Sequence, residues 1–306
     1  MAFLLAPQTY FVVLNVLTVL IILIVSLTVV VIYYNTPDTL KYANYCLYNL
    51  IFWLTASALF VCIFDRFNPI ILDEEQQLCL VNFPVAQLPL SPTLTHAIMV
   101  SLKHNVNTAI VCFFIYVIWH GTWTNGRRFL YLMVFTAILH VVVTATFTSL
   151  TLISVTPWES INTTLLINNR YTSDITRCFK MKRLSPLNIA ASAYSVFVVV
   201  TVIIGILMRV RTPIKPLKRM LMRSLFLLTL SLAIFYLSPT LITLISFYIM
   251  NTSILSVFRL SALTTSFQAI FGELIILISI KTYRRRILRI LKSLKCCKML
   301  KEIFYQ

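Results

Sequence analysis

The sequence predicts an all-α membrane protein: a seven-transmembrane helix bundle followed by a short amphipathic C-terminal helix. Of its 306 residues, 59% are hydrophobic and only 11% are charged, with a mean hydropathy of +0.89. A soluble domain of this length needs a polar surface over most of its exterior. This composition cannot supply one, so lipid is the implied solvent. Several apolar stretches reach the roughly 20 residues needed to cross a hydrocarbon core of about 30 Å, and short polar segments separate them. The basic residues are also spread unevenly between the two sets of connecting segments.

The spans fall at about 10–33, 43–64, 92–119, 129–154, 187–208, 224–249 and 257–280, within a single domain covering residues 1–306. The first apolar run, Phe11 to Ile32, has no cationic flank before it and no small-residue cleavage site after it. It reads as a retained span rather than a signal peptide. Pro37 and Pro216 fall in connecting segments, Pro92 near a helix start and Pro239 inside span six. A proline inside a span frees a carbonyl and bends the helix, which makes Pro239 the candidate hinge. There is no internal repeat and no low-complexity segment.

Orientation follows from lysine and arginine. The segments after spans one, three, five and seven hold 18 basic residues, the other side holds 7 with Arg259 at the outer edge of span seven counted among them, and Lys103 lies deeper within a span. The basic-rich side is the cytosolic side by the positive-inside rule. The tail, residues 281–306, is then inside and the amino terminus outside, with the chain multi-pass in the plasma membrane. The sequons at Asn162 and Asn251 both fall on the outer side, as glycosylation requires, and so does Asp73-Glu74-Glu75. The net charge of +17 is accounted for by topology and anionic lipid at the cytosolic membrane edge, without nucleic acid.

No metal-ligand cluster, phosphate loop or Ser/His/Asp constellation can be assembled. His96, His104, His120 and His140 form no ligand spacing, and of nine carboxylates only Glu273 lies inside a span. The chain is therefore expected to be neither an enzyme nor a cofactor carrier. The polar exception is span three, where Ser101, Lys103, His104, Asn105, Asn107 and Thr108 crowd together. His96, Lys103 and Asn107 share one helical face. An intramembrane lysine must face the bundle interior, water or a partner. The face either lines a cavity for a small-molecule ligand, with His104 beside it, or joins a structural hydrogen-bond network. Glu273 is a candidate counter-charge for Lys103, but counting along the helices separates the two by roughly 12 Å in depth.

The seven cysteines are too few and too scattered for a disulfide scaffold or a CxxC metal site. Cys46, Cys62 and Cys112 sit in spans as packing residues. Cys79 and Cys178 both fall outside, either as free thiols or as a disulfide tying the segment before span three to the segment after span four. The tail sequence KTYRRRILRILKSLKCCKMLKEIF spaces apolar residues helically among basic ones, as a helix lying on membrane lipid does. Cys296 and Cys297 are candidate palmitoylation sites on it.

Three stretches resemble one family. YYNTPDTLKYANYCLYNLIFW (Tyr33–Trp53) is similar to the first inner loop and second span of nematode serpentine chemoreceptors of the Str superfamily, which includes the Str and Srh classes. KPLKRMLMRSLFLLTLSLAIFYLSPTLITL (Lys215–Leu244) resembles their basic, leucine-rich entry into span six. LIILISIKTYRRRIL (Leu274–Leu288) resembles their seventh-span ending. The resemblance implies a G-protein-coupled receptor fold and chemosensory function. A small external molecule would bind among the outer halves of spans three, five, six and seven. A heterotrimeric G protein would meet a basic inner surface of Arg127, Arg128, Arg211, Lys215, Lys218, Arg219, Tyr283 and Arg284. Two motifs depart from the family. Val117 follows Phe114-Ile115-Tyr116 where the Str class has arginine, and Gly272-Glu273 stands in place of an acidic-proline pair. Neither Asp-Arg-Tyr nor Asn-Pro-x-x-Tyr is present. These departures concern activation motifs rather than fold. A bitter-taste-like receptor family and a ligand-gated channel subunit of inverted topology share the layout.

Overall fold

The computed structural model describes residues 7–36, 40–64, 77–80, 92–119, 126–158, 177–181, 186–210, 216–239, 241, 254–290 and 292. In chain order these form α1 (Pro7–Asn35), α2 (Lys41–Phe64), β1 (Gln77–Leu80), α3 (Pro92–Ile118), α4 (Gly126–Ser154), β2 (Val155–Trp158), β3 (Arg177–Met181), α5 (Pro186–Val210), α6 (Pro216–Leu232) and α7 (Ile254–Ser279). A π-helical turn, Ala233–Leu237, extends α6, and residues 281–290 are again helical after a bend at Ile280. Helices α1, α3, α5 and α6 all start on proline. Proline has no N–H to leave unsatisfied in a first turn, and its fixed φ suits that position.

Seven helices are long and apolar enough to cross a membrane, and they form one bundle, the architecture of a multi-pass membrane protein. Helix α3 is central, packing on α2, α4, α5 and α6, while α7 packs on α1, α2 and α6. Gly205 of α5 leaves the space that the tip of the Phe114 ring of α3 fills. Large apolar side chains such as Leu23, Ile153 and Leu207 cover the exterior, while His96, His104, Asn105, Asn107 and Glu273 are buried within. That inversion of the soluble pattern is what a lipid solvent selects.

Helix α6 begins at Pro216, earlier than the 224 expected from hydropathy. Pro216 therefore starts a helix rather than lying in a connecting segment, and Lys218, Arg219 and Arg223 are helical. Long basic side chains allow this, because their stems lie along apolar surface while their charges reach the membrane edge. The expected end of this span, 242–249, lies outside the described residues.

Beside the bundle the structure adds a small antiparallel sheet of order β1-β3-β2. It lies at the end of the bundle where α3 begins and α4 ends, here called the sheet side; the opposite end, carrying residues 281–290, is the tail side. Its register sets Cys79 opposite Cys178 and Leu78 opposite Phe179. Residues 281–290 are amphipathic: Tyr283 is buried and Ile287 and Ile290 are half-buried, whereas Lys281, Arg284, Arg285, Arg286 and Arg289 are exposed.

Candidate functional site

The polar run of α3 is divided by helical geometry, because neighbours in sequence point about 100° apart on a helix of 3.6 residues per turn. Ser101 and Asn105 bond to α4, while His104 sits among rings of α4, α5 and the π-helical turn and Asn107 reaches α5. The two faces differ in how completely their polar atoms are satisfied.

On the α4 side the donors and acceptors form a continuous relay. Trp53 Nε1 donates to Asn49 Oδ1 at 3.1 Å. That leaves Asn49 Nδ2 to donate to His140 Nε2 at 3.2 Å. His140 Nε2 is therefore the acceptor nitrogen, and Nδ1–H donates to Asn105 Oδ1 at 2.6 Å. Asn105 Nδ2 then donates to the Ser101 carbonyl at 2.9 Å and to Thr144 Oγ1 at 2.8 Å. Ser101 Oγ lies 3.1 Å from Thr148 Oγ1. The relay fixes His140 as one neutral tautomer. The Trp53 ring also stacks on His140, with centroids 4.7 Å apart. Buried polar groups so completely paired lock α2, α3 and α4 together.

On the other face the His104 ring stacks on Phe147 of α4 at 3.7 Å and meets Tyr194 of α5 and Tyr236 edge-on, each at 5.9 Å. The Tyr236 hydroxyl lies 3.4 Å from His104 Nε2. Tyr194 in turn shares a 2.8 Å hydrogen bond with Thr108, and Asn107 Nδ2 donates to Ser195 Oγ at 3.0 Å. Here the polar inventory does not close. His104 Nδ1, Asn107 Oδ1 and Ser231 Oγ are buried with no hydrogen-bond partner among the described residues. Each such atom costs about 1–3 kcal/mol until something satisfies it. Lys103 is close enough for its charge to act on both His96 and His104. The structure thus gathers His96, Lys103 and His104, with Asn107 one turn below His104 on the α5 side.

Tyr236 belongs to the π-helical turn. There the Ser238 N–H reaches back to the Ala233 carbonyl, five residues instead of four. The widened turn comes just before Pro239, whose ring would clash with the carbonyl four residues earlier in a regular helix. Pro239 itself is buried and helical. The irregularity expected at Pro239 therefore lies a turn earlier and includes a residue that touches His104.

Glu273 does not serve as counter-charge to Lys103. Its carboxyl is buried and accepts from Thr55 Oγ1 of α2 at 3.1 Å, and Oε2 has no hydrogen-bond partner among the described residues. The pairing fails because Glu273 lies deeper toward the tail side than Lys103, level with the part of α2 that supplies Thr55.

On the tail side, Arg127, Arg128, Arg219 and Arg284 are exposed. Lys218 is partly internal, its Nζ donating to the Ile118 carbonyl at 2.7 Å and so capping α3. Tyr283 is not a surface residue. It is fully buried, donates to Asn44 Oδ1 at 3.0 Å and lies 2.9 Å from Thr36 Oγ1, which ties the tail to α1 and α2. Burial pushes its phenol above the usual range, so it remains a protonated donor.

Arg211, Lys215, Asn162, Asn251, Cys296, Cys297 and His120 lie outside the described residues. Sequence reasoning missed Asn49, His140, Tyr194 and Tyr236. The weak signal available was a polar or aromatic side chain within otherwise apolar spans. No protein-family model matches the chain, and a search of the curated proteins finds no match.

Proposed function

We propose that the chain is a chemosensory seven-helix receptor that binds a small external molecule and signals to a heterotrimeric G protein. The observation that carries this reading is the pairing of Tyr236 with His104. One side chain belongs both to the incompletely satisfied polar cluster and to the irregular turn of α6. A ligand that bonds His104 Nδ1 fixes whether Nε2 donates to or accepts from the Tyr236 hydroxyl, and so acts on that contact. It therefore biases the helix that holds the π-helical turn, which is how binding at one end can move the other.

Further support comes from the sequence. The sorting of basic residues favours a cytosolic tail side, and the three stretches quoted above resemble nematode Str-superfamily receptors. On this reading Arg127, Arg128, Arg211, Lys215, Arg219 and Arg284 form the surface that meets the G protein. Lys218 and Tyr283 support it from within. Cys79 and Cys178, opposite one another in the sheet, form a disulfide at the ligand entrance; directly opposed strand residues have a Cα separation compatible with one. No catalytic step is assigned.

The test uses purified receptor in nanodiscs with a heterotrimeric G protein, reading nucleotide exchange against a panel of small organic molecules. An active compound should lose at least about tenfold in potency, roughly 1.4 kcal/mol, in both His104→Leu and Asn107→Leu. Unchanged potency in both would remove the ligand assignment. Compounds that bind without ever stimulating exchange would remove the coupling.

A further inference from the structure

We propose that the cleft between α6 and α7 on the tail side binds one anionic phospholipid, its phosphate held between Arg223 and Arg284 and one acyl chain lying along the apolar wall. The cleft has a volume of about 230 Å³, with Arg223 and Arg284 at one end and Leu227, Phe271 and Ile278 forming the wall. The two arginines come from different elements, and both are exposed. Among the described residues neither guanidinium has a carboxylate partner. Bringing two cations to one cleft is unfavourable unless an anion sits between them. A phosphate offers the oxygen geometry that arginine matches in bidentate fashion.

The spacing is built in rather than incidental. Ser224, next to Arg223, shares a 2.7 Å hydrogen bond with Ser279, holding α6 against α7 at the cationic end of the cleft. The wall is lipid-facing, Phe271 being 44% and Ile278 56% exposed. A free inorganic anion has no group to lie along that wall, whereas a phospholipid sets its phosphate at the cationic end with its acyl chain against the apolar side chains. A second groove, between α3 and α4, is larger at about 520 Å³, but its lining of Phe114, Trp119, Tyr131, Phe135 and their aliphatic neighbours carries no charge. The two grooves thus separate acyl affinity from headgroup selection. Lipid in the charged one pins the tail-side half of α6, below its irregular turn, against α7. This assignment does not depend on the receptor reading.

The experiment is native mass spectrometry of the full chain in uncharged detergent, titrated with phosphatidylserine or phosphatidylcholine of matched chains. Wild type should retain one phosphatidylserine at least about tenfold more tightly than phosphatidylcholine. Arg223→Gln/Arg284→Gln should reduce that preference to none. Ile278→Trp, which fills the cleft from its lipid-facing wall, should weaken retention with both arginines present. Arg286→Gln/Arg289→Gln, the same charge change on the same tail, should leave it intact. The proposal is overturned if the tail control removes the preference equally, since attraction is then diffuse. It is also overturned if the cleft variants bind as wild type does, or if inorganic phosphate displaces the lipid as well as phosphatidylserine does.

Discussion

His104 and Asn105 are adjacent in sequence, of similar polarity and almost equally buried, yet they belong to opposite kinds of structure. Asn105 is the centre of a relay in which every donor finds an acceptor, from Trp53 through Asn49 and His140 to Thr144. His104 is held by ring stacking, with one nitrogen lacking a hydrogen-bond partner among the described residues and the other in a long contact to Tyr236. The α4-facing side of α3 meets regular helices. The side bearing His104 meets Phe147 of α4, Tyr194 of α5 and the π-helical turn. What the pair teaches is that buried polarity inside a membrane bundle has two uses. Complete networks specify the packing, and incomplete ones keep an unmet demand that a ligand or a moving helix can meet.

The sharpest way to break this comparison is to remove one histidine from each face. His140→Leu strands Asn49 Nδ2 and Asn105 Oδ1 in a low-dielectric interior, at about 1–3 kcal/mol each before relaxation. The observed cost should be about 2–4 kcal/mol, because membrane interiors offer displaced groups some alternative partners. His104→Leu removes an unsatisfied nitrogen along with its ring stacking, and should stay within about 1 kcal/mol of wild type. Thermal unfolding of the two variants in the same nanodisc measures both. Equal losses would mean that the two faces are equally structural.

The parts of this architecture set by composition were readable from the sequence. Seven apolar segments separated by polar ones set the helix number, and Pro92 stands at a helix start as expected, whereas Pro216, expected in a connecting segment, starts a helix too. The start of α6 was misplaced because hydropathy discounts basic residues that a helix tolerates at a membrane edge. The strands were not seen, being four or five residues long with no alternation to find. The crowding of polar residues on α3 was legible, and so was the choice between a cavity and a network. The network is present on the side of Asn105, and around His104 the structure shows polar atoms without hydrogen-bond partners among the described residues. The relay itself was hidden because its partners are far apart in sequence, 91 residues from Asn49 to His140 and 35 from Asn105 to His140. No spacing rule links residues on three helices. The Lys103–Glu273 pairing failed on depth, which the residue count already suggested.

A middle-sized effect sharpens the difference between regular and irregular surroundings. Pro239→Ala restores an N–H and removes the ring that excludes an α-helical turn. The widened turn should close to regular helix, moving Tyr236 off His104, with stability changing by less than about 1 kcal/mol. A spin-label pair at Arg128 and Arg219, both exposed on the tail side, reports the position of α6. Its distance distribution should shift in Pro239→Ala and stay unchanged in His140→Leu molecules that remain folded. The same shift in both would make α6 responsive to general loosening rather than to its own turn.

The smallest effect tests whether the relay acts as a directed chain. Trp53→Phe keeps an aromatic ring over His140 but removes the Nε1–H that satisfies Asn49 Oδ1. Freed of that donor, the Asn49 amide can turn over and present Oδ1 to His140. The imidazole must then reverse its tautomer, which turns its Nδ1 from donor to acceptor against Asn105 Oδ1. Because that reversal is unfavourable, the amide should keep its orientation. The cost should be one membrane hydrogen bond, about 0.6 kcal/mol and at most about 1.7 kcal/mol. The imidazole nitrogen shifts of His140, labelled with ¹⁵N, should still report a protonated Nδ1. A protonated Nε2 would show that Trp53 sets the direction of the chain, and the sense of the relay would then depend on its first donor rather than on Asn105.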